Sequence, residues 1–545
     1  MTHHETPQNE YSVNTNVLVI GAGLSGLASA EKIAEQGYPV LVLDQDRPSD
    51  TECCYDPEAE AGFQKLQGRV RQNPAITIKP GVRLKDVKGF AGNFQAVLEK
   101  DGKSEFAEVG AVVLATGYRC LPLFEHYTLR PGNKVLSIGD LEKLLDDEQG
   151  KAQIRNGNGS SVAFFSGFAD EGSPVATERM LKNALAVQGM DQCQAYVLAG
   201  NVKVAASGME RLFTRARNQG VTCIKPEKQP ETRMLDDTVQ IHFTDPILRQ
   251  EVTLTPDLLV LDEGIEPDPE NERLQELLRI DADPQGFLQT GNVHRLPVQT
   301  NREGIYVSGT ASAVMMPDQA LLEAADVALQ VKNFLGSGTV RITGNTAVVD
   351  EDRCVICLTC YRCCPHGAIA WEGKKAVISP VACQGCGICA AECPMDAIQL
   401  QGYTDEALST QIQQGIAETA QKASMLAFCC QNSALEAARS AQKMGLGLPE
   451  ELRMIEVPCA GKIDVDAVLQ ALTQGVETVV VVACHEGNCQ SERGNTYAGW
   501  RIREMQKRLE TLGLNPNRLL FATLASNMPH SFAQIVRDAA AASSR

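Results

Sequence analysis

Two cysteine runs constrain this chain more than any other feature. Cys354, Cys357, Cys360 and Cys364 precede Pro365, and Cys383, Cys386, Cys389 and Cys393 precede Pro394, each set spaced C-x₂-C-x₂-C-x₃-C-P. Of 19 cysteines, fourteen lie beyond residue 350 in tight groups, and the earlier residues hold only Cys53, Cys54, Cys120, Cys193 and Cys223. The start, MTHHETPQNEYSVNTNVLVIGAG, has neither the basic stretch nor the long apolar core of an export signal, and no run of about 18 apolar residues follows. A cytoplasmic protein without a direct membrane span is therefore expected. Disulfides do not persist in a reducing compartment, so cysteines in this pattern point to metal ligation.

The repeated spacing matches the bacterial two-cluster ferredoxin pattern, in which the fourth cysteine of each run ligates the other cluster. One [4Fe–4S] is then expected on Cys354, Cys357, Cys360 and Cys393, and a second on Cys383, Cys386, Cys389 and Cys364. Zinc sites usually pair two C-x₂-C halves across a longer loop, which is not the arrangement here. Cys363, the fifth cysteine of CVICLTCYRCCP, falls out of register and is expected to be a bystander packed near the cluster. One-electron carriers in a row form a conductor, not a reaction centre.

At 545 residues the chain exceeds one core, and an α/β multidomain architecture of roughly three or four domains is expected. The formal charge of −18 excludes nucleic acid as a natural partner, because nothing neutralises phosphates. Residues 1–336 read as a Rossmann-type FAD-binding domain with an inserted domain at about 120–290, and 337–402 as a 2[4Fe–4S] ferredoxin-like insert. Residues 403–420 read as a linker, and 421–545 as a C-terminal α/β domain built on a parallel sheet.

In NVLVIGAGLSGLASAEKIAEQGYPVLVLDQD a strand, a glycine turn, a helix and a second strand follow in order. The loop Gly21, Ala22, Gly23, Leu24, Ser25, Gly26 carries G-x-G-x-x-G. Gly21 permits the tight turn, Gly23 lets the backbone approach a pyrophosphate, and Gly26 lets helix pack on strand. Asp44, ending the second strand, is placed to accept from ribose hydroxyls. AVVLATGYR adds Ala115, Thr116 and Gly117, and GIYVSGTASAVMMPDQALLEAADVALQV adds Gly309 and Thr310. This pairing resembles the two-dinucleotide-domain flavoproteins, which include thioredoxin reductase, where an ATG segment and a late G-D segment close the FAD pocket. Thr310 stands where those enzymes have Asp. The inserted stretch SSVAFFSGFADEGSPVATERM holds Gly167 and Gly172 but no second fingerprint for NAD(P)H, so electrons are expected to arrive from a protein.

Beyond residue 421 strands and helices alternate, which argues for an open parallel sheet with helices on its faces. Cys430, Cys459 and Cys484 fall at strand ends and Cys489 in the loop CHEGNC, so a site at the carboxyl edge of the sheet is expected.

Together these segments resemble the flavoprotein (A-type) component of heterodisulfide reductase fused to the delta subunit of methyl-viologen-reducing hydrogenase. Their order also matches the B-type flavoprotein component of the quinone-interacting oxidoreductase complex. PCAGKIDVDAVLQAL and VVVACHEGNCQSERGNTYAGWR carry the delta-type likeness. The resemblance implies an electron-transfer subunit holding FAD and two [4Fe–4S] clusters. It also implies partners: a second flavoprotein of the heterodisulfide reductase kind, a cytoplasmic reductase, and a quinone-reactive or heterodisulfide-reductase-like membrane subunit through which the chain associates with the membrane. The delta-type C-x-x-C reads Cys430 then Ser433 here, so a [2Fe–2S] on Cys430, Cys459, Cys484 and Cys489 and a pure docking role both stay open. Cys53 and Cys54 lack evident co-ligands, and no third [4Fe–4S] is assigned to them. An electron-bifurcating flavin, an NAD(P)H oxidoreductase and a non-catalytic scaffold are the competing functions.

Overall fold

The computed structural model describes residues 9–45, 57–155, 160–169, 172–235, 238–342, 344–417 and 425–543. Cys53 and Cys54 lie outside these.

The run Val17–Ile20 is buried at every residue and forms the centre of a five-stranded parallel sheet. Its neighbours are Ala111–Leu114 and Val40–Asp44, with Ile305–Val307 and Ile76–Pro80 at the edges. Unbroken apolar strands are what a sheet covered on both faces requires. Val17 and Val19 join the core under helices Leu24–Glu35 and Pro317–Leu335. Leu18 and Ile20, pointing the other way, meet an antiparallel meander of Arg83–Phe90, Asn93–Lys100 and Lys103–Val109.

A two-stranded antiparallel link, Tyr118–Pro122 with Glu263–Pro267, leads out to the inserted domain and back. That domain has its own five-stranded parallel sheet, in the order Val135–Ser137, Leu258–Leu261, Ser160–Ser166, Cys193–Ala199, Thr222–Ile224. The insert is shorter than the expected 120–290. Helix Glu270–Leu278 already belongs to the first domain, where Leu274 and Leu278 pack with Leu84 and Arg273 donates to the Leu84 carbonyl at 2.7 Å.

The cysteine-rich module is small: strand Ala347–Val349 pairs with Ile398–Leu400, and Ile369–Glu372 with Lys375–Ile378. The tail sheet has four parallel strands in the order Leu452–Val457, Met425–Cys430, Thr478–Cys484, Leu519–Leu524. The expected linker needs correction. Residues Asp405–Ala417 form a helix whose Leu408 and Ile412 are buried in the core of the tail with Phe428 and Val481. The spacing of these two apolar residues, four apart, gives the helix a face to bury. A single continuous apolar core runs through the first domain, the cysteine module and the tail.

Candidate redox centres

Gly21 adopts φ +110°, and a Cβ there would lie 2.2 Å from the Ala115 carbonyl oxygen, so only glycine fits. A Cβ on Gly26 would meet the Gly21 carbonyl at 2.0 Å, while one on Gly23 would meet no atom of the described residues within 4 Å. The loop is therefore packed tightly against its neighbours at its two ends and open at its middle, beside the N-terminus of helix Leu24–Glu35, whose first-turn amides lack intrahelical partners. Ala22, Leu24, Ser25 and Asp44 stand with it at the carboxyl edge of the sheet. Opposite, Thr116 is buried and donates to Asn271 Oδ1 at 2.5 Å, next to Ala115 and Gly117. Gly309 is so close to the loop that a Cβ would lie 1.8 Å from Ser25 Oγ. Thr310 follows it, half-buried, and the Glu323 carboxylate accepts from Gly309 N at 2.8 Å. The gap at Gly23 fits a dinucleotide pyrophosphate.

Two cavities lie in the cysteine module. One is lined by Cys354, Cys357, Cys360 and Cys393, together with Val355 and Met395. The other is lined by Cys364, Cys383, Cys386 and Cys389, together with His366 and Ile388. Among the described residues no three His, Cys, Asp or Glu side chains close around a single metal ion. Four thiols lining each of two chambers, drawn from two runs of C-x₂-C-x₂-C-x₃-C, fit a pair of iron–sulfur clusters rather than a lone zinc ion. Cys363 lies in neither set; its thiol points at the Cys360 carbonyl at 3.4 Å, and burial pushes it up to about 12.

The two cavities differ in setting. Cys357 is exposed, and the Thr359 hydroxyl and backbone amide lower its thiol from the ordinary value. Val355 and Met395 beside it are 58% and 42% exposed. Cys386 and Cys389, by contrast, are buried and held well above the ordinary range by desolvation, so a metal must displace their protons. The inner cavity also touches both other bodies. From the first domain, Asn301 donates to the Pro365 carbonyl at 2.7 Å, and its own carbonyl lies 3.2 Å from His366 Nδ1. From the tail, Lys462 packs its stem on Gly387, and the Cys459 sulfur raises Cys386 electrostatically.

In the tail the strand at Met425–Cys430 has the second strand on one side and the third on the other, so the chain reverses direction across the sheet there. Ligand crevices in open parallel sheets form at such a reversal, beyond the carboxyl ends. Cys430, Cys459, Cys484 and Cys489 meet at that point, all buried, with Cys430 and Cys484 sulfurs 3.4 Å apart. The Cys430 thiol and then the nearby Cys489 hold the Cys484 thiol below its ordinary value, and Cys489 lowers Cys459 likewise. A Cβ on Gly494 would lie 2.1 Å from Cys459 Sγ, so this glycine makes room for the sulfur. The loop after Cys484 is seated on the first domain: Asn292 donates to the Cys489 carbonyl at 3.0 Å, and Arg295 pairs with the buried Glu492.

Residues 425–543 match the model of the methyl-viologen-reducing hydrogenase delta subunit, 346–418 that of a 4Fe-4S dicluster domain, and 19–49 that of an NAD(P)-binding Rossmann-like domain. The chain is 26% identical to the A-type component of the Ferredoxin/F(420)H(2)-dependent CoB-CoM heterodisulfide reductase of Methanosarcina acetivorans, covering 96% of this chain and 79% of that protein. It is 28% identical to the A-type component of the Ferredoxin:CoB-CoM heterodisulfide reductase of Methanosarcina mazei, covering 92% and 76%. Over most of its length the chain is similar to the A-type component of heterodisulfide reductase, and it carries a 4Fe-4S dicluster segment and a hydrogenase-delta-type tail. Among solved structures, Lactococcus lactis thioredoxin reductase matches 59% of this chain and 99% of its own, at 15% identity and a TM-score of 0.40.

Some parts of this heterodisulfide-reductase-like chain escaped its sequence. The seat of the tail loop at Asn292–Arg295 carries no motif. Lys462, fully buried and paired with Asp405 at 2.7 Å, sits where a lysine ordinarily signals surface. In the inserted domain, the amide of Gly167, which would begin a phosphate cradle, already donates to the buried Asp262 carboxylate at 2.7 Å. No described helix is long and apolar enough to cross a membrane.

Proposed function

We propose that this protein is an electron relay inside a larger redox complex. FAD sits on Gly21–Gly26, Asp44, Ala115–Gly117 and Gly309–Thr310, and two [4Fe–4S] clusters occupy the two four-cysteine cavities, each cluster taking its fourth cysteine from the other run. The observation that carries this reading is the pair of cavities in a module wedged between flavin domain and tail. The inner cluster is then the junction of the relay, and the outer one, at the exposed Cys357, faces the partner. The named relatives are heterodisulfide reductase components, so the partners we assign are a cytoplasmic redox enzyme, a second flavoprotein, and a quinone-reactive or heterodisulfide-type subunit.

The occupied Gly167 amide favours a protein donor over NAD(P)H, because a carboxylate already stands where pyrophosphate oxygens would accept. Convergence of four buried sulfurs at the tail crevice favours a [2Fe–2S] there over a purely structural tail. Anaerobically purified complex should bind FAD non-covalently and contain about ten iron atoms per chain. Reduction through the flavin should bring up cluster signals in electron paramagnetic resonance (EPR). Rapid bleaching of the flavin by NADH or NADPH would refute the protein-donor reading, and clusters that cannot be reduced through the flavin would leave only a scaffold. Bifurcation has its own signature: a low-potential acceptor reduced only while a second acceptor is present.

A further inference from the structure

Ser433 stands one C-x-x-C step after Cys430, and the turn between them is closed by its amide donating to the Cys430 carbonyl at 3.3 Å. It occupies the N-cap of helix Ala434–Lys443, where a serine hydroxyl ordinarily accepts from the helix amides. Here it caps nothing. The residue is 2% exposed, and among the described residues its Oγ finds no hydrogen bond of ordinary geometry. A buried hydroxyl left unsatisfied costs about 1–3 kcal/mol, so its placement calls for a partner that the protein alone does not provide. The turn that holds this hydroxyl begins at Cys430, whose sulfur lies 3.4 Å from that of Cys484.

We infer that Ser433 is a positioning residue for the tail centre: its hydroxyl donates to a sulfur of the Cys430–Cys484 pair once that sulfur is a metal-bound thiolate, and thereby raises the reduction potential of the centre. The inference rests on the [2Fe–2S] reading of the tail. Hydrogen bonds to ligand sulfurs stabilise the more negative, reduced state, which is how second-layer donors tune iron–sulfur potentials. On this view the departure from C-x-x-C is a change of setting for the centre, with Cys489 completing the four thiolates. Cys430, Cys459, Cys484 and Cys489 remain the ligands, and Ser433 supplies a proton donor that a fifth cysteine would supply only weakly.

The test is a redox titration of the full-length protein, purified anaerobically and followed by the EPR signal of the tail centre. Ser433→Ala should keep that signal and lower its midpoint, with the oxidised-to-reduced ratio at fixed potential rising about tenfold, or about 59 mV for a one-electron couple. The [4Fe–4S] midpoints should not move. Ser433→Thr, which keeps the hydroxyl, should hold the parental midpoint. An unmoved midpoint in Ser433→Ala overturns the hydrogen bond. Loss of the signal also overturns it, because Ser433 would then be a ligand. A parent protein lacking any third iron–sulfur signal overturns the centre itself, and that is read before any substitution is made.

Discussion

The cysteine module and the tail each bring four cysteines together, but they assemble them in opposite ways. In the module, three of each four come from one contiguous run, so the local turn sets the geometry and the spacing alone announces it. In the tail, Cys430, Cys459 and Cys484 come from the ends of three strands, more than fifty residues apart at the extremes, and only the order of those strands brings them together. A local site depends on its metal for its fold; a topological site inherits its shape from the sheet. That difference predicts how each should fail.

The largest effect is expected at the inner cavity. Cys386→Ser should remove one [4Fe–4S], about four iron atoms per chain, and loosen the packing that joins flavin domain, module and tail, because metal binding and folding are coupled at such sites. Cys357→Ser, at the exposed cavity, should lose the same iron with a much smaller fall in thermal midpoint. Equal falls in the two variants would break the distinction between inner and outer. Next comes the nucleotide loop, the other local site. Gly23→Val should yield folded protein without FAD, since its Cβ meets only open space, whereas Gly21→Ala should cost about 2 kcal/mol or more of stability through its left-handed backbone and the Ala115 carbonyl. FAD retained in Gly23→Val, measured by absorbance after gel filtration, would move the pyrophosphate elsewhere.

Smaller still is the loss expected in the tail. Cys484→Ala should erase its EPR signal and leave both [4Fe–4S] signals and the circular dichroism spectrum unchanged, because strands Met425–Cys430 and Thr478–Cys484 are held by their own core. An unfolded tail in this variant would make the site local after all. The smallest is Lys462→Met. Losing the lysine leaves Asp405 unpaired, but that carboxylate is 47% exposed and water can solvate it, so stability should fall by only about 1 kcal/mol. A loss of several kcal/mol by chemical denaturation would show that the charge pair with Asp405, and not the aliphatic stem on Gly387, joins module to tail.

The same contrast explains what could be read from residues alone. G-x-G-x-x-G and the two cysteine runs are consequences of short-range sterics and ligand spacing, so they are visible in a line of text. The alternation of the tail gave its strands and helices, because unbroken runs such as TVVVVAC have few other uses. What the line could not carry was the pairing between distant surfaces. Asn301 with Pro365, Asn292 with Cys489 and Lys462 against Gly387 are single polar or small residues whose partners lie 64, 197 and 75 positions away. The helix at Asp405–Ala417 was missed for a related reason. Its sequence, DEALSTQIQQGIA, is polar except at the few positions that meet the tail, and so reads like a tether.

That helix has a kinetic consequence. Were residues 403–420 a slack tether, the tail would have to swing to hand electrons onward, and turnover would slow in proportion to the friction of the solvent. With Leu408 and Ile412 locked under the tail sheet, and Lys462 keyed onto the cysteine module at the start of the same helix, the centres keep one separation. Passage between them should then be unchanged when glycerol thickens the medium, as in a wire soldered at both ends rather than a switch that must close.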